Sequence, residues 1–214
     1  MTPYYERDGI TIYHGDCRDI LPTLEAGDAV VTDIPFNVDL NYESYDDKLS
    51  NAEYRALLDS WFTAMKPVAW MYVVKAPTKT MPVVLPSFAD ILGYVWTVIQ
   101  YSPNTTSHGP FNLHVYTQYL IGGQPYKRPC GDLFVNTDNQ LWSREHPAAM
   151  PTRPIRKLIE WFTNPGDMVI DPFCGSGTTL RAAKDLGRRA IGIEIEEKYC
   201  EIAVKRLAQE VLAL

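Results

Sequence analysis

A stretch in the last third of the chain carries the residues best suited to bind a small ligand. Directly after the apolar run Met168–Ile170, it reads Asp171-Pro172-Phe173-Cys174-Gly175-Ser176-Gly177-Thr178-Thr179. An acid at the end of a predicted buried strand is thus followed by a Gly-x-Gly loop that opens a predicted helix. Such a loop lets a ligand approach the backbone closely, at the N-terminus of a helix.

Three kinds of nucleotide site compete for this loop. A phosphate-binding P-loop needs a lysine after its second glycine, where this chain has Thr178. A dinucleotide fingerprint needs a third glycine, where it has Leu180. Asp171 at the strand end would also repel a phosphate. A ligand with a cationic or zwitterionic end remains, and S-adenosylmethionine fits, because its amino acid moiety lies over such a loop.

The next predicted strand supports this cofactor. Ala190–Ile193 ends at Glu194, about 20 residues after the glycines. A carboxylate at that place accepts hydrogen bonds from ribose hydroxyls in dinucleotide folds. The alternative interpretation is a tight turn followed by an exposed glutamate.

Several motifs in a fixed order make the chain resemble the amino-methyltransferases of DNA. In the second half they are His146-Pro147-Ala148-Ala149-Met150-Pro151, Leu158-Ile159, Asp171–Thr179, Gly192-Ile193-Glu194 and Tyr199. In the first half they are His14-Gly15-Asp16-Cys17, Leu21 and Val31-Thr32-Asp33-Ile34-Pro35-Phe36-Asn37, similar to the family's GDC and TDPPYN blocks. The catalytic motif precedes the cofactor motif, so the resemblance is to the permuted β class. It covers roughly residues 10–75 and 145–210.

The resemblance implies methyl transfer from S-adenosylmethionine to the exocyclic amino group of a DNA base. Such an amine is a poor nucleophile, so the enzyme must hold it in line with the methyl group and accept its N–H hydrogens. The resemblance assigns these acceptor roles to the Asp33 carboxylate and the Ile34 carbonyl, and stacking on the extruded base to Phe36, which follows Pro35. The cofactor-binding residues it implies are Asp16, Cys17, Asp33, Asp171, Phe173, Gly175, Gly177, Thr178 and Glu194, with no metal.

Simpler roles stay open for two of these acids. Asp33 is alternatively an ordinary acid at a strand end, and Asp16 an N-cap in a turn between a strand and a helix.

Adenine N6 is the preferred target because Asp rather than Ser opens the catalytic motif, and cytosine N4 is the alternative.

Ile34 departs from the family, where proline is usual. Proline fixes φ near −65°, and isoleucine loosens that restraint, although Pro35 still biases Ile34 towards extended backbone. An impaired homologue that binds the cofactor and acts as a binding module is therefore a second hypothesis. Methylation of a small molecule or free nucleotide on the same scaffold is a third.

The segment 102–145 is expected to be a small, loop-rich target-recognition insertion in a single methyltransferase domain, 1–214. Its candidate nucleic-acid contacts are Tyr126, Lys127, Arg128, Trp142 and Arg144, a phosphate-and-stacking set whose alternative is a solvated basic loop. Residues 96–164 carry six basic and four acidic side chains, the only net-positive third of the chain. So short a target-recognition segment predicts a short target sequence, low sequence specificity, or help from a second subunit in a homodimer.

Cys130 follows a proline, as the nucleophilic cysteine does in cytosine-C5 methyltransferases, but its place in the insertion argues against a covalent mechanism.

Apolar runs that alternate with amphipathic stretches predict an α/β fold, a doubly wound, mostly parallel sheet of the seven-stranded Rossmann-like methyltransferase type. The predicted strands are Ala29–Thr32, Ala69–Val74, Tyr94–Tyr101, Met168–Ile170 and Ala190–Ile193, with hairpin strands at Ile10–Tyr13 and at Val115–Ile121 before a Gly122-Gly123 turn. The predicted helices are Asn51–Met65, Pro154–Phe162, Thr178–Leu186 and Glu196–Leu212.

Composition sets broad limits. The chain has 214 residues, 46% of them hydrophobic and 21% charged, with a net charge of −6, which disfavours a nucleic-acid packaging protein. Four scattered cysteines favour a reducing compartment over a disulfide framework or zinc site. There is no apolar signal core or membrane-length run, so we expect a cytoplasmic enzyme of restriction-modification or phage DNA modification.

Overall fold

The computed structural model describes residues 1–38, 48–102, 116–124, 131–135 and 152–209. The strands in these ranges are β1 (Tyr5–Arg7), β2 (Ile10–His14), β3 (Ala29–Asp33), β4 (Met71–Ala76), β5 (Tyr94–Tyr101), β6 (Tyr116–Gly123), β7 (Leu133–Val135), β8 (Met168–Asp171) and β9 (Arg189–Glu194). The helices are α1 (Cys17–Ile20), α2 (Asn51–Met65), α3 (Met81–Leu92), α4 (Thr152–Phe162), α5 (Thr178–Asp185) and α6 (Glu197–Ala208).

All nine described strands form one sheet, in the order β1-β2-β9-β8-β3-β4-β6-β5-β7. The five strands β2, β9, β8, β3 and β4 are parallel to one another. β1 pairs antiparallel with β2, and β6 pairs antiparallel with both β4 and β5. The chain leaves β3 towards β4 on one side and leaves β8 towards β9 on the other. The crevice beyond the carboxyl ends of β3 and β8 is therefore a topological switch point, where open α/β sheets bind ligands.

Helices cover both faces of the sheet, which explains the uninterrupted apolar runs of its strands. Along β4, Met71 and Val73 face a core shared with α4, α5 and α6, while Tyr72 and Val74 face a core shared with α1, α2 and α3. Successive side chains on a strand point to opposite faces, so a sheet covered on both sides needs apolar residues at every position. The predicted doubly wound fold is confirmed.

Most predicted elements are present, and α2 has the predicted bounds because a capping box fixes its start. The Ser50 hydroxyl accepts from the Glu53 N–H at 3.3 Å, and the Glu53 carboxylate accepts from the Ser50 N–H at 3.0 Å. The predicted Gly122-Gly123 turn is wrong: both glycines belong to β6, and Gly122 faces Phe88 so closely that a Cβ would lie 2.8 Å from its ring. The described part of α6 ends at Ala208, short of the predicted end.

The helix α3 has no counterpart among the predicted elements. Pro82 lies in the first turn, where its missing N–H costs nothing, and Pro86 lies inside the helix. Of the predicted insertion, Tyr116–Gly123 and Leu133–Val135 join the sheet as β6 and β7, while most of the segment lies outside the described residues. In the described part of the chain, no helix is long and apolar enough to cross a membrane.

Candidate active site

A cavity of about 210 Å³ opens at the switch point. It is lined by nearly all of the predicted catalytic and cofactor-binding residues: Asp16, Cys17, Asp33, Ile34, Pro35, Phe36, Asp171, Phe173, Gly175, Thr178 and Glu194. The remaining predicted residue, Gly177, packs against α6 instead. Its φ is +78°, and a Cβ there would lie 2.8 Å from the Cβ of Ala203, so this position needs glycine both for its backbone and for space.

The glycine loop is tied to the end of β9 by Glu194. Its Oε2 accepts from the Gly175 N–H at 2.9 Å, and its Oε1 accepts from the Glu196 N–H at 2.9 Å. Burial raises the pKa of Glu194, while these two hydrogen bonds oppose the rise. A carboxylate has about four acceptor positions, so each oxygen keeps capacity for a further donor such as a ribose hydroxyl.

Asp171 joins the two strands of the switch point beneath the same loop. Its Oδ1 accepts from the Thr32 hydroxyl at 2.6 Å and from the Phe173 N–H at 3.2 Å. The side chain of Thr179 also acts to lower the pKa of Asp171. Burial outweighs these bonds and raises the pKa of Asp171 to about 6, and the charge of Asp33 adds to the rise. The carboxylate thus shapes the loop and places negative charge beside the cavity.

The loop after β3 is held from outside its own motif. Ile34 is only 2% exposed and packs in the core that α2 shares with the sheet. The hydroxyl of Tyr54, on α2, donates to the Pro35 carbonyl at 2.7 Å. Asn37, at a φ of +55°, forms a reciprocal pair with Leu49, in which its amide donates to the carbonyl at 2.9 Å and its Oδ1 accepts from the N–H at 2.7 Å.

The two oxygens of the Asp33 carboxylate differ in their contacts. Its Oδ2 accepts from the Lys75 ammonium at 2.7 Å. Its Oδ1 is buried, and within the described ranges it has no hydrogen-bond partner. The Lys75 ammonium also lies 4.9 Å from the centre of the Phe36 ring. Burial raises the pKa of Asp33, and Lys75 opposes the rise through its charge and its hydrogen bond.

The Asp16 side chain has a clear structural role in addition to lining the cavity. It caps α1 by accepting from the Arg18 N–H at 2.8 Å, and it pairs with the Arg18 guanidinium, which lowers the pKa of the carboxyl. Burial raises the pKa of the neighbouring Cys17 thiol to about 12. A thiol with so high a pKa is protonated at neutral pH and is a poor nucleophile.

Several lining residues were missed by the sequence analysis: Arg18, Leu57, Trp61, Ile195 and Glu196. Trp61 meets Phe173 edge to face, with ring centres 4.9 Å apart, so the cavity has an aromatic wall. Trp61 lies on the apolar stripe of α2, where its spacing is the same as that of a core residue. The five predicted nucleic-acid contacts, Tyr126, Lys127, Arg128, Trp142 and Arg144, lie outside the described residues.

The lining matches S-adenosylmethionine in charge and chemistry. Asp33, Asp171 and Glu194 give the cavity acidic walls, which suit a sulfonium and an ammonium group. Aromatic side chains supply apolar contact for an adenine ring, and the glycine loop presents its backbone at the N-terminus of α5. Among the described residues, no group of three or more His, Cys, Asp or Glu side chains could hold a metal ion.

A doubly wound sheet with such a cavity at its switch point defines a Rossmann-like methyltransferase. The family model described as DNA methylase matches residues 95–205, more than half of the chain. The chain belongs to this family of DNA methylases. It is a site-specific DNA amino-methyltransferase of the N6-adenine and N4-cytosine type, its cofactor is S-adenosylmethionine and its substrate is DNA.

Individual relatives agree with this placement. The type II methyltransferase M.ScaI of Streptomyces caespitosus is 28% identical over 264 residues, which cover 99% of this chain and 86% of that protein. Among solved structures, the cytosine-N4-specific PvuII DNA methyltransferase superposes with a TM-score of 0.80 at 18% identity, covering 99% of this chain and 90% of the other. The complex of M1.HpyAVI with SAM has a TM-score of 0.70 at 24% identity, covering 94% and 100%. These two structural matches support the fold.

Proposed function

We propose that this enzyme methylates N6 of adenine in DNA, with Asp33, Ile34, Pro35 and Phe36 forming the catalytic loop. The observation that carries the proposal is the buried Oδ1 of Asp33, an acceptor for which the described residues provide no donor. An unsatisfied buried acceptor costs about 1–3 kcal/mol. An amino group of the substrate would supply the missing donor.

The bound cofactor would supply a methyl group already activated by its sulfonium. The protein's task is then to orient the target amine. Asp33 Oδ1 accepts one N–H of the amine, and the Ile34 carbonyl accepts the other. With both hydrogens engaged, the amine's lone pair is directed at the methyl group rather than delocalised into the ring. Phe36 stacks on the extruded base, which offsets part of the cost of a few kcal/mol of unstacking it.

The cofactor would be held by the glycine loop and the acids beneath it. Asp171 and Asp33 face its cationic end, Glu194 accepts from its ribose, and Gly175 allows close approach of the backbone. Phe173 and Thr178 line the same cavity. Asp16 and the backbone of Cys17 would contact the adenine ring of the cofactor.

The preference for adenine rests on Asp33 opening the catalytic motif, and product analysis tests it. Unmethylated genomic DNA is incubated with enzyme and S-adenosylmethionine, digested to nucleosides and analysed by mass spectrometry. We expect N6-methyladenine, and N4-methylcytosine in its place would contradict the preference. RNA and free nucleosides are assayed in parallel, because methylation of these alone would point to a different substrate class.

The matched control is Asp33→Ala, which should abolish methyl transfer. Its affinity for S-adenosylmethionine, measured by calorimetry, should stay within a few fold of wild type, because the main contact of Asp33 is with the target amine. A wild-type protein that binds the cofactor but methylates no substrate would favour an impaired homologue acting as a binding module. The target-recognition role of the segment 102–145, a homodimer and a cytoplasmic location stay predictions.

A further inference from the structure

Lys75 lies at the carboxyl end of β4, directly beside Asp33. The parallel register of β3 and β4 pairs these two residues, so their side chains emerge at the same height on the same face of the sheet. The two side chains are 18% and 21% exposed, and the 2.7 Å contact between Nζ and Oδ2 is largely shielded from solvent. The pair is therefore screened much less than a surface ion pair.

The contact divides the carboxylate into two different oxygens. Oδ2 is bonded to Lys75, while Oδ1 is buried and, within the described ranges, has no donor. A carboxylate fixed through one oxygen has its plane and its second oxygen fixed as well. In a loop that lacks the usual proline at position 34, such a contact holds the acceptor in place.

Within the described ranges, the charged and titratable groups that interact with Asp33 lie on the strands β4, β6 and β8. Among these described groups, Lys75 on β4 is the cation. Asp171 on β8 and Tyr119 on β6 are close enough for the charge of Asp33 to contribute to the raised pKa of each. Burial also raises the pKa of Asp33 itself, and Lys75 is the group that opposes the rise. Without the lysine, burial beside a second acid favours a protonated Asp33.

We propose that Lys75 is a positioning residue of the methyl-transfer site, which keeps Asp33 ionised and leaves its Oδ1 available to the target amine. A protonated carboxylic acid is a weaker acceptor and can turn its O–H towards the amine, so the pair sets the pH range in which the site works. The Lys75 ammonium near the Phe36 ring also fixes that ring, since a cation and an aromatic face attract each other at this distance. This inference rests on the proposed function of Asp33.

The first test is the pH dependence of single-turnover methylation at saturating cofactor, for wild type, Lys75→Met and Lys75→Arg. Methionine keeps most of the side-chain volume without the charge. We expect its acid limb to move up by roughly one to three pH units, with a loss of ~10-fold or more at neutral pH that is regained in alkali. Lys75→Arg should restore most of the wild-type profile. Lys79→Met, an exposed lysine a few residues along, is the matched control and should leave the profile unchanged.

The second test needs no methyl transfer. The carboxyl carbon of Asp33 is followed by NMR across the same pH range in the free protein, with Asp33→Asn to assign its signal. We expect a higher midpoint in Lys75→Met than in wild type, and an affinity for S-adenosylmethionine within a few fold of wild type. Equal midpoints, or a Lys75→Met rate that is unchanged or falls equally at every pH, would overturn the inference. If wild type methylates nothing while the midpoints differ, the proposed function fails and the electrostatic role of Lys75 stands.

Discussion

Replacing Asp171 by asparagine should stabilise the cofactor-free protein at neutral pH. The folded pKa of Asp171 is about 6 against an ordinary value of 3.8, so the folded state binds a proton more tightly than the unfolded state does. The stability contributed by this group is therefore fully present below about pH 4 and is lost as the pH rises through 6. The difference of about two pKa units corresponds to a loss of about 3 kcal/mol in the free energy of unfolding.

The difference in the free energy of unfolding between Asp171→Asn and wild type should grow with pH. Linkage gives a loss of about 1.6 kcal/mol at pH 5 and about 3 kcal/mol at pH 8, so the gap between the two proteins should widen by about 1.4 kcal/mol. Asparagine keeps the oxygen that accepts from Thr32 and Phe173. Its NH2 group replaces the other carboxylate oxygen and lacks a matched acceptor, which is destabilising, so the calculated gain in stability is an upper bound. The change with pH is free of that cost.

The assay is denaturant unfolding at pH 5 and pH 8 for wild type, Asp171→Asn and Glu6→Gln. Glu6 is an exposed carboxylate on the edge strand β1 and serves as the control. A gap that stays constant or narrows between the two pH values would refute the reasoning, because it would mean that the buried charge is not the source of the cost. Asp171→Asn should also bind S-adenosylmethionine more weakly, because asparagine lacks the negative charge that would attract the cationic end of the ligand. The ionised carboxylate would then lower the stability of the free protein and favour binding of the cofactor.

The remaining predictions concern the cofactor loop and the catalytic loop. S-adenosylmethionine at millimolar concentration should raise the melting temperature of wild type and leave that of Gly175→Asp unchanged, because an acidic side chain would fill the loop; a shift in both, or in neither, would contradict the assignment. Ile34→Pro should leave the single-turnover rate of methylation unchanged or lower it. A 100-fold gain in this rate, about 2.7 kcal/mol in the barrier, would mean that isoleucine at position 34 impairs catalysis. Ile34→Ala should lower the free energy of unfolding by about 2–5 kcal/mol in a denaturant titration, and a loss well below that would show that this side chain is not part of the core.

The parts of the fold that can be predicted from the sequence are those that local pattern determines. The buried strands β3, β4, β8 and β9 have apolar runs because both faces of the sheet are covered, and the glycine loop has its own local signature. The helix α3 was missed because Pro86 inside it contradicts the usual pattern, although the helix accommodates it. Gly122 and Gly123 suggested a turn, whereas the close approach of Phe88 requires a glycine within a strand.

Most of the candidate site could also be predicted, because its residues lie in four short motifs, at 16–17, 33–36, 171–178 and 194. Lys75 could not, since its partner Asp33 lies 42 positions earlier in the chain. Recognising the pair requires knowing that β3 and β4 are neighbours and which residues their register brings together. Tyr54 is a similar case, because its helical spacing marks it as a core residue and gives no indication that its hydroxyl holds the Pro35 carbonyl.

These long-range contacts explain how the catalytic loop can do without its usual proline. Proline at position 34 would restrain one φ angle, and the structure restrains the same loop by other means. Tyr54 holds the carbonyl of Pro35, the Asn37 and Leu49 pair closes the far end of the loop, and Lys75 fixes the carboxylate at its start. The side chain of Ile34 is buried, and the ring of a proline would not fill the same space in the core. The departure from the family motif is therefore a change in which residues hold the loop, made possible by contacts that the motif itself does not contain.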